Sequence, residues 1–399
     1  MASTTAITIP QSAEDIAPSW VQQVLQKDLP GVIITDVHVK GSISEGEGYV
    51  SDIIAFDAMG TRNDTSQRYS LVAKVTNFIK PLVGFKLWSK DIQINIETIE
   101  TKFYANAVPE LLSVAIPSTE PKSQAEKEDD PLDDSWFLPK CYFAATDPSS
   151  MVSVRVMENL KAQGFSIKPD HQPLSREEMM LAVGALAQLH GLSHRLELRS
   201  GKPLPEKYDW IISPSDDTAI AGMDILNHDC QDSVKEFAAA FPDQADLVAR
   251  LEKLRLRVDL EEPRLKVFCH GDCWINNIMF EYAGNVPTGV KLVDWQTPIY
   301  MPPTYDLTLL FLCNASWDVF HNHRDAILAH YHRKLQETLG PKTQDESSGL
   351  WSYTLEQLTV DFKADCREGV INRFIRLGPL PADADLLRML HEIKEWGVI

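Results

Sequence analysis

The chain of 399 residues has no excess of positive charge: 38 Lys and Arg stand against 57 Asp and Glu, a formal net charge of −19. A surface this acidic repels nucleic acid and anionic membrane, which excludes a polyanion as the main partner. The chain also lacks any apolar run of the ~18 uncharged residues that a membrane span requires. Its start, MASTTAITIPQSAEDIAPSW, has neither the basic nor the apolar region of a secretion signal, so a cytoplasmic protein is expected. Cysteine is scarce and scattered, at 141, 230, 269, 273, 313 and 366, which argues for reduced thiols and against a disulfide framework. Cys269 and Cys273 do not form CxxC and no second pair follows, so they read as small core residues rather than zinc ligands. No repeat of fixed period occurs, which excludes a solenoid or propeller.

The length and an ordinary hydrophobic content of 44% fit two lobes. VIITDVHVKGSI, GYVSDIIAFDA and RYSLVAKVTN read as strands, with GTRNDTSQ as the turn between the last two, and WFLPKCYFAAT and MVSVRVMENL add two more. In RYSLVAKV the alternation puts Val72 and Lys74 on one face and Leu71, Ala73 and Val75 on the other. Residues 90–108 return Ile92, Ile96, Ile99 and Phe103 at helical spacing. The stretch 117–134 is rich in proline and charge and reads as a solvated loop. After residue 157 helical patterns dominate, beginning with SREEMMLAVGALAQLHGLSHRLEL and recurring near 232–257, 304–338, 354–376 and 383–395. The expected class is α+β: a small β-rich N-terminal lobe, 1–157, and a larger, mainly helical C-terminal lobe, 158–399.

One strand-like island in the helical half, VFCHGDCWINNIMF, is interrupted by polar groups. Asp272 and Asn277 are five apart, and Asp294 follows after a strand, IMFEY, a turn, AGNVPTG, and a second strand, VKLV. A hairpin there brings Asp294 back beside Asn277. Two carboxylates and an amide gathered in a cleft need a cation, and hard oxygen donors beside phosphates suit Mg²⁺. The order D, five on to N, then D at a strand end is the phosphoryl-transfer pattern, with one aspartate taking the acceptor's proton and the other two groups holding the metal. Singly, HGD arises by chance, His270 reads as a structural histidine and Lys74 as a strand-edge lysine; their joint order carries the reading. Lys74 is placed to pair with Glu100 on the following helix, where Glu97 competes for the same role. Upstream, SISEGEGYVSD offers Ser44, Gly46 and Gly48 as a phosphate-covering turn, a G-x-G without a third glycine.

These segments resemble the ecdysteroid kinase-like, or CHK kinase-like, family, relatives of choline kinases and aminoglycoside phosphotransferases. HGDCWINNIMF is similar to that family's HGD-x-W-x-NN signature, and VKLVDWQ, PPTYDLTLLF, SLVAKV, the E-x-x-F-Y beginning at Glu100, LPKCYFA, VMENLKAQGF and LAQLHGLSH look like its successive blocks. The resemblance implies a protein-kinase-like bilobal fold and ATP- and Mg²⁺-dependent phosphorylation of a small-molecule alcohol. It maps the acceptor-activating base to Asp272, metal ligands to Asn277 and Asp294, phosphate contact to Lys74, its partner to Glu100, and the adenine-binding hinge to Glu158, Asn159 and Leu160. Trp295 and Asn159 depart from the family's commoner phenylalanine and aspartate, and the acidic loop is enlarged; these bear on substrate and loops and remove no chemical part.

The acceptor stays open among steroid alcohols such as ecdysteroids, choline-like amines, aminoglycosides and xenobiotics. WDVFHNH and INRFIRLG supply candidate contacts to it. His321, His323, His330 and His332 have no metal spacing, and His190 and His194 lack the glutamate of HExxH, so these read as packing or surface residues. Asp306 reads as structural, tying the catalytic loop down. A catalytically inactive binding protein on the same fold is the competing class, against which the retention of Lys74, Asp272, Asn277 and Asp294 argues. A protein kinase is disfavoured because the arginine of HRD, the glycine of DFG and an APE segment are missing.

Overall fold

The computed structural model describes residues 7–42, 51–78, 90–115, 136–169, 172–212, 217–256, 264–341, 349–377 and 384–399, with only the backbone course of 217–223. They fall into two compact units: Met1–Leu112 with Leu138–Phe165, and Ser113–Phe137 with Ser166–Ile399. Ser44, Gly46, Gly48 and the acidic stretch 117–134 lie outside the described residues.

The first unit is built on an antiparallel sheet of order β1-β2-β3-β5-β4, from β1 (Ile33–Ser42), β2 (Asp52–Arg62), β3 (Thr65–Asn77), β4 (Cys141–Asp147) and β5 (Val152–Glu158). The eight-residue turn expected from GTRNDTSQ is in fact two residues long. Asn63 and Asp64, at φ of 50° and 60°, close it, because Asn and Asp tolerate the left-handed region that a twisted hairpin requires. Leu71, Ala73 and Val75 point into a core shared with Val154, Val156 and the helix α1 (Pro18–Leu25), whose Trp20, Val21, Val24 and Leu25 are buried. Full burial of a Leu or Val side chain is worth about 1.5–3 kcal/mol, so this face fixes the register and turns Lys74 to the other side. The helical pattern over 90–108 is realised as α2 (Lys90–Lys102), a π-helical turn Phe103–Ala107, and α3 (Val108–Val114). Its buried face holds Ile96, Ile99 and Phe103, and also Glu97 and Glu100.

The second unit centres on α4 (Arg176–Ser200). It starts with a capping box in which Ser175 Oγ accepts from Glu178 N and Glu178 Oε2 accepts from Ser175 N, and it stops at Gly201 in the left-handed conformation. Next come α5 (Leu204–Lys207), α6 (Asp217–Ala240), α7 (Ala245–Leu251), α8 (Thr304–Asn314), α9 (Arg324–Leu339), α10 (Leu355–Leu377) and α11 (Ala384–Glu395). The single helix expected over 304–338 is two, because Ala315 adopts an extended conformation and bridges to Leu174. Between these helices lie β7 (Val267–Cys269), paired with β10 (Ile299–Met301), and a sheet of β6 (Ser166–Ile167), β8 (Ile278–Ala283) and β9 (Val286–Leu292). The β8–β9 hairpin closes through Gly284 and Asn285 alone, so its strands run further than IMFEY and VKLV.

The unit boundary differs from the one expected at 157/158. Asn159 N donates to Ser70 O and Phe165 N to Leu160 O, so the chain through Phe165 stays tied to the first unit. Residues 113–137 join the second unit, where Arg195 Nε donates to Val114 O, Lys291 Nζ to Trp136 O, and Leu292 N to Phe137 O. Among the described residues no helix is long and apolar enough to cross a membrane.

Candidate active site

In the first unit Lys74 Nζ donates to Glu100 Oε2 at 2.8 Å. Glu97, one helical turn earlier, has a different partner: Arg155, which is fully buried on β5 directly across from Lys74 in the register. Arg155 also lies 3.2 Å from Glu100 Oε2, so two cations and two anions form one buried group. Glu97 accepts further hydrogen bonds from Thr76 Oγ1 at 2.9 Å and Ser153 Oγ at 2.6 Å. Burial alone pushes the Glu97 carboxyl up, but the charge of Arg155, then that of Lys74, outweighs it and holds it down at about 2. Glutamates three apart lie on one helix face, which is why helical spacing alone left both in contention.

Of the expected hinge, Glu158 N donates to Lys140 O and Glu158 Oε1 accepts from Lys140 N at 2.9 Å. Asn159 Oδ1 accepts from Ala162 N and caps the short 3₁₀ turn Leu160–Gln163, within which Leu160 is buried. The residues past β5 are therefore held by backbone bonds rather than free to swing.

In the second unit the loop after β7 is anchored from below. Asp306, on α8 and wholly buried, accepts from His270 N at 2.7 Å through Oδ2 and from Gly271 N at 2.9 Å through Oδ1. His190 Nε2 donates to the same Oδ2 at 3.2 Å, and His190 Nδ1 is hydrogen-bonded with Tyr331 Oη at 2.7 Å. Burial raises the Asp306 carboxyl, and the interaction with His190, followed by those with His270 and Gly271, more than offsets this, leaving it below the ordinary range. Asp306 thus ties the loop down, as its sequence context led one to expect, and His190 is a buried member of the same network. Gly271 sits at φ +82°, where a Cβ would lie 2.0 Å from the Thr297 carbonyl oxygen; only glycine fits.

His190, Cys269 and Asp306 bring potential metal-ligating atoms within 4.8 Å of one another. The oxygens of Asp306 already serve three donors, and burial, followed by the charge of Asp306, pushes the Cys269 thiol well above its ordinary value and away from the thiolate a metal would need.

Above this anchor stands the group picked out in the sequence. Asn277 Nδ2 donates to Asp272 Oδ2 at 2.8 Å and to the Asp272 carbonyl at 2.9 Å. The Asn277 side-chain oxygen therefore faces away from Asp272. Val293 N donates to the Asn277 carbonyl at 3.0 Å, which delivers the next residue, Asp294, beside it. Asp294 is half-buried and adopts φ +66°, a conformation uncommon outside glycine. His270 locks the arrangement: Nε2 donates to Val293 O at 3.1 Å, and Nδ1 accepts from Asp272 N at 3.2 Å. An amide oxygen and a carboxylate on chain segments joined by the Val293–Asn277 backbone bond are hard oxygen donors of the kind that suits Mg²⁺.

Residues 45–341 match the family described as "Ecdysteroid kinase-like family", which is three quarters of the chain. The chain belongs to the ecdysteroid kinase-like family. Among solved structures this family member is similar to the GDP complex of wild-type aminoglycoside 2′-phosphotransferase-IIIa, at 12% identity and TM-score 0.38, with 95% of this chain and 99% of that one covered. It is also similar to a Plasmodium vivax ethanolamine kinase, at 15% identity and TM-score 0.39 over 91% and 82% of the two chains. A macrolide 2′-phosphotransferase from Brachybacterium faecium stands at 14% and 0.36 over 89% and 96%. No curated protein matches the chain.

Two site residues of this kinase-like chain have partners that the sequence does not reveal, although INRFIRLG, which holds Arg376, was expected to contact the acceptor. Arg155 sits in VSVRV, which reads as an apolar strand, and Arg376, which donates to Asp272 Oδ1 at 2.6 Å, lies 104 residues downstream of it. The histidines outside the loop are dispersed: His321 pairs with Glu392, His323 with Asp318, His330 with Arg333, and His332 with the Tyr353 carbonyl.

Proposed function

We propose that this chain transfers the γ-phosphoryl group of ATP to a hydroxyl of a small molecule. The observation that carries the reading is the clamp of Asn277 on Asp272, with Asp294 delivered beside it by the Val293–Asn277 bond. In this reading Asp272 accepts the proton of the acceptor hydroxyl, whose oxygen forms a bond to the γ-phosphorus as the bond to the β-bridging oxygen breaks and ADP leaves. Lys74, steered by Glu100, contacts the nucleotide's phosphates, while Ser44, Gly46 and Gly48 cover them and Glu158 to Leu160 meet the base. Asn277 and Asp294 hold Mg²⁺, which when bound neutralises charge on the phosphate oxygens. The orientation of the Asn277 amide supports that role, since its nitrogen is committed to Asp272.

The family's name supports an ecdysteroid or related secondary-metabolite alcohol as acceptor. The same reading puts the protein in the cytosol, where ATP is abundant; six cysteines without a disulfide support this. The test is to incubate purified protein with ATP, Mg²⁺ and a panel of steroid alcohols, choline-like amines, aminoglycosides and phenolics. Mass spectrometry then follows a phosphate-sized gain, and nucleotide binding is titrated separately. A phosphorylated steroid alcohol is the expected product; a phosphorylated amine or aminoglycoside keeps the reaction and replaces the acceptor. No product, together with no Mg²⁺-dependent nucleotide binding, favours an inactive binding protein.

A further inference from the structure

We propose that Arg376 is a positioning residue for the reaction, setting the plane of the Asp272 carboxylate from the last turn of α10. The inference rests on the reading of Asp272 as proton acceptor. Arg376 makes three bonds with one guanidinium: Nε to Asp272 Oδ1 at 2.6 Å, Nη2 to the Gly271 carbonyl at 2.9 Å, and Nη1 to Asn372 Oδ1 at 2.5 Å. Asn277 already holds Asp272 Oδ2. One bond to each oxygen removes rotation about the Asp272 side chain, which is 27% exposed and would otherwise swing toward water. Each carboxylate oxygen retains a lone pair, so the grip leaves room for an incoming hydroxyl.

Docking of α10 does not call for this contact. The helix is seated by Phe362, Val370, Ile371 and Phe374, all fully buried, and its middle is fixed by Asp365, which accepts from Arg264 at 2.7 and 2.6 Å. Arg376 adds a link to the loop alone. A cation on a base opposes proton uptake, but the loose transition state of phosphoryl transfer draws more on orientation of the nucleophile than on early proton removal, so the chemistry accommodates the arrangement. Lysine is no substitute, because a single ammonium cannot reach three acceptors in the fixed fork of a guanidinium.

The test compares R376Q, R376K, D272N and the double variant D272N/R376Q with the parent. R376Q is expected to lower kcat by about 10- to 100-fold with the KM for ATP nearly unchanged, the size of a modest misplacement of a reacting group. R376K should recover little of it, added guanidinium should restore part of the R376Q loss, and the double variant should be no slower than D272N. Parent-like kcat in R376Q, or losses that multiply in the double variant, would overturn the positioning role while leaving Asp272 as the base. Full turnover in D272N would instead sink the reading beneath it. Should no acceptor be turned over, amide hydrogen exchange of the 270–277 loop decides: R376Q should speed it several-fold without a matching fall in global stability, and an unchanged loop refutes the proposal.

Discussion

The two charged regions of this chain solve burial in opposite ways. In the buried group of the first unit each charge has a counter-charge: Glu97 faces Arg155, Glu100 faces Lys74, and the four share contacts in a group almost without solvent. In the second unit the buried charge of Asp306 is met by backbone N–H groups and His190, and the half-buried Asp272 is held by one cation and one amide. A self-neutral group is a structural fixture, with Lys74 its most exposed member. An anion held by dipoles is a fixture that aims another group. Charge is compensated in the first region and oriented in the second, and loss of a member should therefore be felt as instability in one and as lost chemistry in the other.

The sharpest break of that contrast is D272N, expected to cut turnover by about 10²- to 10⁴-fold while the urea midpoint moves little, since the amide keeps one acceptor for Arg376. Turnover at the parent's rate would remove the second region's chemical role. Glu97→Ala should do the reverse, costing about 3–5 kcal/mol of stability because it leaves Glu100 alone to balance both Arg155 and Lys74 in the core; a parent-like denaturation midpoint would show that the first region's charges are not structural. Asp306→Asn places a donor against the His270 or Gly271 N–H and should lose about 1–3 kcal/mol, along with most activity.

Acid titration sharpens the comparison further. Glu97 is held at about 2 in the folded chain against 4.5 for an unperturbed glutamate, so its contribution is complete above pH 4.5 and drains away as the pH falls toward 2. Glu97→Gln should flatten the stability profile across that window, and an acid limb as steep as the parent's would assign the effect to other carboxylates. The smallest effect is expected at the rim, where Asp57 meets Lys40 at 2.9 Å and Arg68, itself 59% exposed, at 2.6 Å. Arg68→Ala should cost no more than about 0.2–1 kcal/mol, a shift that salt erases.

What could be read in the sequence was whatever local periodicity or fixed spacing encodes. The alternation through Leu71, Ala73 and Val75 turned Lys74 away from the core, and the distance from Asp272 to Asn277, followed by a hairpin back to Asp294, described a loop that closes on itself. Turn lengths were overread, because Asn63 and Asp64 close a hairpin in two residues while their polar neighbours continue as strand. Arg155 was hidden since a buried ion pair leaves no periodic trace, and the partner of Arg376, singled out only as a candidate acceptor contact, because its contact with Asp272 depends on how α10 packs against α8, which no local pattern states. Even the choice between Glu97 and Glu100 was a question of which strand residue lies opposite, and that is a matter of register between distant segments.

The contact of Gly271 with Thr297 has a consequence for how such chains can change over time. The β7–β10 pairing joins Cys269 to Ile299, and two residues nearer the loop the absent side chain of Gly271 lets the Thr297 carbonyl close in. The stretch from Asp294 to Ile299 is thereby pinned at its far end to the strand that carries the loop, and at its near end to Asn277 through Val293. It has no slack: a residue inserted or deleted there would have to break one of those attachments. In related chains, then, this interval should keep its length even where its letters drift, and alignments there are better anchored by counting residues than by matching them.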